Sequence, residues 1–400
     1  MKITGRFVAL LVALSAPLIL FPSAQTTEKA AAKSQYLAYV GTYTTKTNSK
    51  GIYVYRFDAA TGQLGANGVA ADTQDPSWVA VHPNGKFLYA VNEAGKNSMV
   101  SAFARDAKTG KLTLLNQLPA LGEDPCYISF DRTGKYVFVA NYTSGNVVVF
   151  PIGPNGKLGA ATANVHDEGK LGPNKERQEA PHAHWIEPGP SNLSVYVADL
   201  GLDRVFIYYF DVAKGTLAMP PTPGPKHAFA QNALALSPGT GPRHVAISRS
   251  KKVFTQFIYV LGELDSTVTV FDNSIEGSLS PFQKVRILPE EFSGRNDAAE
   301  IAIHPNQKFL YASNRGHDSI AVFAIDPASG KLTSEGYVPT GGKEPRHFGI
   351  DPTGQFLLAE NQLSNNIVVF KIDPATGGLI PTGQVVEVPS PVCITFLPVE

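Results

Sequence analysis

Residues 298–332, AAEIAIHPNQKFLYASNRGHDSIAVFAIDPASGKL, hold three features in a fixed order. An apolar run at 298–303 ends on His304 and Pro305. LYASNRGHDSIAVF at 310–323 sets two β-rich runs around a polar connection. Gly330, Lys331 and Leu332 then form a turn into a weaker strand. Short runs of β-branched and aromatic residues between turn formers build strands, and two around a polar turn build a hairpin. The stretch predicts four antiparallel strands.

The unit recurs on both sides. Its first strand returns as PSWVAVHP (76–83), PCYISFDR (125–132), PHAHWIEP (181–188), PRHVAISR (242–249), PRHFGIDP (345–352) and PVCITFLP (391–398), seven copies in all. The hairpin also occurs seven times, from LAYVGTYTTKTNSKGIYVYRF at 37–57 to LLAENQLSNNIVVF at 357–370. The turn glycines are Gly62, Gly110, Gly156, Gly215, Gly277, Gly330 and Gly377. Three independent markers agree on seven. The fold class is therefore all-β: a seven-bladed β-propeller with four antiparallel strands per blade. The first hairpin has no inner strand before it, and the last inner strand has no hairpin after it. Joining them makes one blade from both termini and leaves no open edge. No composition shift interrupts the array, so residues 35–400 read as a single propeller domain.

Lys2 and Arg6 precede an apolar run at 7–21, too short to span a bilayer comfortably. Residues 1–24 therefore read as a signal peptide and 25–34 as a polar leader. The expected location is secreted or periplasmic, with no membrane association beyond the signal peptide. The formal net charge is +0, which gives no electrostatic footprint for nucleic acid. Cys126 and Cys393 are the two cysteines, one possible pair and no disulfide framework. A monomer is expected.

Aligned blades expose irregular columns. At the start of strand one stand Ser77-Trp78, Cys126-Tyr127, His182-Ala183, Arg243-His244, Ala299-Glu300, Arg346-His347 and Val392-Cys393. At the end of strand two stand Thr42, Glu93, Tyr142, Leu200, Glu263, Arg315 and Gln362. Both columns face one mouth of the channel, and the central blades fill them with acids and bases. Convergent charges on a concave rim mark a candidate site. Long insertions before strand one, at 165–180, 220–240 and 289–298, support the same face. We take His182, Arg243, Glu263 and Arg315 as candidate catalytic residues. Glu93, His244, Glu300, His317, Arg346 and His347 are candidate substrate-binding residues. Arg346 has a structural alternative, pairing with Glu300. His184 reads equally as a packed core histidine, and His82 and His304 read as turn residues on the opposite face.

GTYT (41–44), GPRH (241–244), GELDSTVTVF (262–271), SNRGHDS (313–319) and EPRHFGID (344–351) resemble the lactonase-type seven-bladed propellers, over nearly all of residues 35–400. That family includes bacterial 6-phosphogluconolactonases and fungal carboxymuconate lactonising enzymes. The resemblance implies catalysis by a His, two Arg and a Glu, which match His182, Arg243, Arg315 and Glu263. Gly262 departs from the Asn common before that Glu. The expected function is opening of a sugar lactone by general acid/base catalysis, with Glu263 or His182 as base and the arginines on the oxyanion. The expected partner is a small-molecule lactone or sugar acid, with no metal and no cofactor. An exported protein would rarely meet a phosphorylated sugar, so an unphosphorylated aldonolactone fits better. The alternatives are a non-catalytic propeller binding carbohydrate or protein, and a muconate-type cycloisomerase.

Overall fold

Seven antiparallel sheets appear in the computed structural model, which describes residues 1, 34–219, 232–248, 257–272 and 279–399; six have four strands, and the fourth along the chain has a fifth, Ala233–Ala235, paired with Arg204–Asp211. Nearly all of the segments read above as signal peptide and leader, Gly277, and the larger part of the 220–240 insertion lie outside the described residues. We number the blades by their outer hairpins in chain order. Blade 1 takes its inner strand from the C-terminus, so Pro391–Pro398 pairs with Gln35–Thr42. The inner strands of blades 2 to 7 are Trp78–Val81, Pro125–Phe130, Ala183–Pro188, Pro242–Ile247, Asp297–Ile303 and Pro345–Ile350. Each inner strand touches the next, and the contact between blades 7 and 1 completes the ring.

The turn glycines lock blade to blade. Gly156 of blade 3 adopts φ +78°, and a Cβ there would run into the Phe87 ring of blade 2. Tyr89 of blade 2, fully buried, donates its hydroxyl to the Gly156 carbonyl at 2.7 Å. A left-handed residue in ring contact admits only glycine without strain. Gly330 and Gly377 repeat this contact against Phe257 and Phe309. His82 and His304 do more than close turns, since each Nε2 reaches the next blade, at the Gly134 and Gly354 carbonyls, 2.7 Å away in both cases.

One irregularity is repeated and bears on the site. In six blades the inner strand carries one extra residue near its start, opposite an unbroken second strand. Such a β-bulge interrupts the alternation of a flat strand and re-aims side chains. In blade 5, consecutive residues Arg243 and His244 both turn inward, Arg243 to Glu263 and His244 to Glu300, Trp78 and Tyr127, where regular pleating would have separated them. The bulges thereby create two tiers of side chains, one at the mouth and one below it.

Candidate active site

The mouth tier centres on Glu263, which follows the second strand of blade 5. Its Oε1 lies 2.5 Å from Arg177 Nη2, and its Oε2 lies 3.0 Å from both Arg243 Nε and Arg315 Nη2. Burial alone would raise its pKa, but Arg315, Arg243 and Arg177 together pull it down to about 2. The group is a carboxylate at neutral pH. The Arg243 contact is an ion pair without hydrogen-bond alignment, so the buried Nε proton lacks an acceptor. Arg243 Nη1 donates to the Ala299 carbonyl. Arg315 is braced by the carbonyls of Asp297 (3.1 Å) and Ala298 (3.3 Å).

Arg177 was not singled out from sequence. It lies in the 165–180 insertion, where no repeat offers an alignment. Buried Gln178 pins this loop by donating to the Leu200 carbonyl at 2.8 Å. Arg177 thus crosses the mouth and also meets Tyr142 Oη (3.2 Å) and Asp297 Oδ1 (3.5 Å).

His182 stacks on the Tyr142 ring at 4.5 Å and 13°. Its Nδ1 lies 3.0 Å from the Tyr142 carbonyl, and a carbonyl only accepts, so Nδ1 carries the proton. Nε2 is then the atom at which a proton can be exchanged. Glu179 Oε1, 3.1 Å away, can hold the N–H that forms. Asp199 accepts the His182 backbone N–H at 3.0 Å and fixes the loop.

The lower tier is nearly neutral. His244 Nδ1 donates to Glu300 Oε2 at 2.9 Å, and Trp78 and Tyr127 pack edge-on against the His244 ring. His347 Nδ1 accepts the Ile394 N–H at 3.3 Å, so its 2.6 Å contact with Glu360 Oε2 requires a protonated Glu360. Burial, reinforced by Glu300, indeed holds Glu360 well above the carboxylate range. Burial raises Glu300 to about 8, lowers His347 to about 3 and keeps His244 well below its ordinary value. His184 is also buried and neutral, with Nδ1 unpartnered.

The structure therefore brings His182, Arg243, Glu263 and Arg315 to one mouth and sets His244, Glu300 and His347 beneath them. Glu93 and Arg346 lie on the side of blades 1, 2 and 7, where Tyr43 donates to Glu93 at 2.8 Å and Arg346 covers the Tyr43 ring. The alternative pairing of Arg346 with Glu300 does not occur, because Glu300 sits a tier lower with the two histidines. His317 is not brought into the cluster: its ring packs on Phe292 at 4.8 Å and its Nδ1 meets Ser319 Oγ at 2.7 Å. Glu360, absent from the sequence candidates, had a visible signal: an acid in a column that elsewhere holds Val91, Ala140, Ala198, Leu261 and Ser313. Cys126 and Cys393 are buried free thiols. Among the described residues no cluster of three or more His, Cys, Asp or Glu is placed to hold a metal ion.

A family model described as "Lactonase, 7-bladed beta-propeller" matches residues 37–396. The 6-phosphogluconolactonase of Bacillus subtilis is 37% identical over 369 residues, covering 91% of this chain and 99% of that protein. Among solved structures, the periplasmic gluconolactonase of Pseudomonas aeruginosa superposes with a TM-score of 0.82 at 34% identity, covering 92% of this chain and 100% of that one. A Bacteroides fragilis protein provisionally described as a 6-phosphogluconolactonase gives 0.83 at 35% identity over the same shares.

Proposed function

Because the chain belongs to the seven-bladed β-propeller lactonase family, we propose that it hydrolyses a sugar lactone at the arginine-lined mouth of its channel. The observation that carries this reading is the Glu263 clamp, which holds three guanidinium groups, one of them on the Tyr142 side chain that His182 stacks against. Water attacks the lactone carbonyl carbon while His182 Nε2 takes its proton. The oxyanion of the tetrahedral intermediate is stabilised by Arg243 and Arg315, whose positions Glu263 fixes in advance. The ring C–O bond then breaks, and the proton passes from His182 to the departing ring oxygen. The product is a hydroxy acid, which ionises and releases one proton to solvent.

Glu263 has the wrong affinity for a base. A carboxylate held near pKa 2 binds protons too weakly at neutral pH, so its role is to organise the arginines. Similarity to a periplasmic gluconolactonase and the basic-then-apolar start at residues 2–21 support an extracytoplasmic place and an unphosphorylated lactone.

A pH-stat assay of the mature protein on gluconolactone and its 6-phosphate tests the reading, with carboxymuconate in parallel. His182→Ala should lower kcat by roughly 10²–10⁴-fold, the usual contribution of a positioned base. Wild-type turnover no faster than this variant on either lactone would overturn the proposal, and turnover on carboxymuconate alone would favour the cycloisomerase.

A further inference from the structure

Three arginines of the mouth are committed to Glu263, and a fourth is not. The Arg346 guanidinium makes no hydrogen bond or ion pair with any described residue. Every carboxylate near it is engaged elsewhere. Glu344 turns to Arg315 at 3.7 Å, Glu300 to His244, Glu93 to the Tyr43 hydroxyl, and Glu263 to its three arginines.

Arg346 is nonetheless held in place. It is the bulged residue between Pro345 and His347, and its own N–H donates to the Glu344 carbonyl at 2.8 Å. Its guanidinium carbon lies 5.4 Å from the Tyr43 ring centroid, and that ring is tethered through its hydroxyl to Glu93. The side chain is half-buried and is close enough to Glu263 and Glu93 to feel their charges. A positioned guanidinium with vacant donors is a fork for a planar or tetrahedral oxyanion.

We infer that Arg346 is an anion subsite for the substrate, taking a carboxylate or phosphate remote from the lactone carbonyl. The inference rests on the lactonase reading for its choice of ligands. Arg346 occupies the same column as His182 and Arg243, but in blade 7. A substrate lying across the mouth would set its carbonyl toward blades 4 to 6 and its anionic end toward blades 7 and 1. The preferred lactone then carries its own charge, as the lactone of a sugar diacid does through carboxylate and that of a phosphorylated sugar acid does through phosphate.

The test combines binding and turnover in wild type, Arg346→Met and Arg346→Lys. Calorimetry measures gluconate, glucarate and 6-phosphogluconate. Kinetics compare gluconolactone, glucaro-1,4-lactone and 6-phosphogluconolactone. The wild type should favour at least one ligand with a second anionic group over gluconate by about tenfold or more, and the glucarate and phosphate arms identify which anion is meant. In Arg346→Met the preference for charged over neutral lactone should fall roughly ten- to a hundredfold, chiefly through KM, and Arg346→Lys should recover part of it. An unchanged preference in Arg346→Met, or none in wild type, overturns the subsite. Binding through Arg346 without turnover of any lactone keeps the subsite and instead removes the hydrolase reading.

Discussion

Glu263 and Glu360 both stand at the channel end of a second strand, both are buried, and their surroundings leave one ionised and the other neutral. Glu263 meets three guanidinium groups and is driven down to about 2. Glu360 meets one neutral imidazole and is held well above the carboxylate range. Glu300, also in the lower tier and without a cation in contact, rises to about 8. The cations supplied by neighbouring blades decide the outcome, since burial disfavours the charge of all three. The mouth is therefore a charged tier resting on a nearly neutral one, walled by Trp78, Tyr127 and the histidines.

The same substitution made in the two tiers should separate them. Glu263→Gln removes the counter-charge of three arginines and should cost on the order of 10³-fold in kcat. Leaving buried cations uncompensated should also destabilise the fold by about 3–5 kcal/mol. Glu360→Gln keeps a donor facing His347 Nδ1, so its rate should stay within about threefold and its melting temperature should hold or rise. Rates in the pH-stat and melting curves read both. Comparable damage from the two variants would break the contrast.

The contrast also has a sign in pH. Glu300 is raised from 4.5 to about 8, so its contribution to stability is full below pH 4.5 and is lost as pH climbs through 8. Glu263 is lowered from 4.5 to about 2, so its contribution is full above pH 4.5 and is lost as pH falls through 2. Denaturation midpoints of the wild type should decline between pH 5 and 8. Glu360→Gln removes the neighbouring acid and should flatten that decline, and an unaltered slope would mean that the lower tier carries no shared proton burden.

Much of this arrangement was legible in the sequence, for a physical reason. A repeated blade is its own alignment, so a residue that departs from its column is conspicuous. His182, Arg243, Glu263 and Arg315 depart at the rim, and the structure gathers them there. What could not be read was depth and pairing. The bulges that send Arg243 and His244 to different tiers are invisible in the residue string, which is why Glu300 and Arg346 looked like possible partners. Arg177 was hidden for the opposite reason, since an insertion has no sister copies to stand out from.

A smaller version of the contrast lies behind His182, where blade 4 breaks a different column. Asn92, Asn141, Asn314 and Asn361 donate their carboxamides to the carbonyls of Gln74, Ala120, Ile287 and Thr340. Blade 4 has Asp199 instead, which accepts the N–H groups of His182 and Leu202 and has no amide to donate. Its neighbour is another buried acid, Asp167, which takes the Tyr208 hydroxyl at 2.5 Å. Burial raises both carboxyls, Asp199 to about 6, and among the described residues no lysine or arginine pairs with either. Asp167, held well above the carboxylate range by burial and by Asp199, keeps its proton at neutral pH. Since the folded values lie above 3.8, the stability they contribute is full below pH 3.8 and is lost as pH rises through 6. Asp167→Asn supplies the N–H permanently. It should raise the melting temperature by about 1–3 °C at pH 8 and change it less at pH 5. An equal fall at both pH values would mean that Asp167 serves Tyr208 alone, leaving Asp199 to hold His182 without a protonated partner.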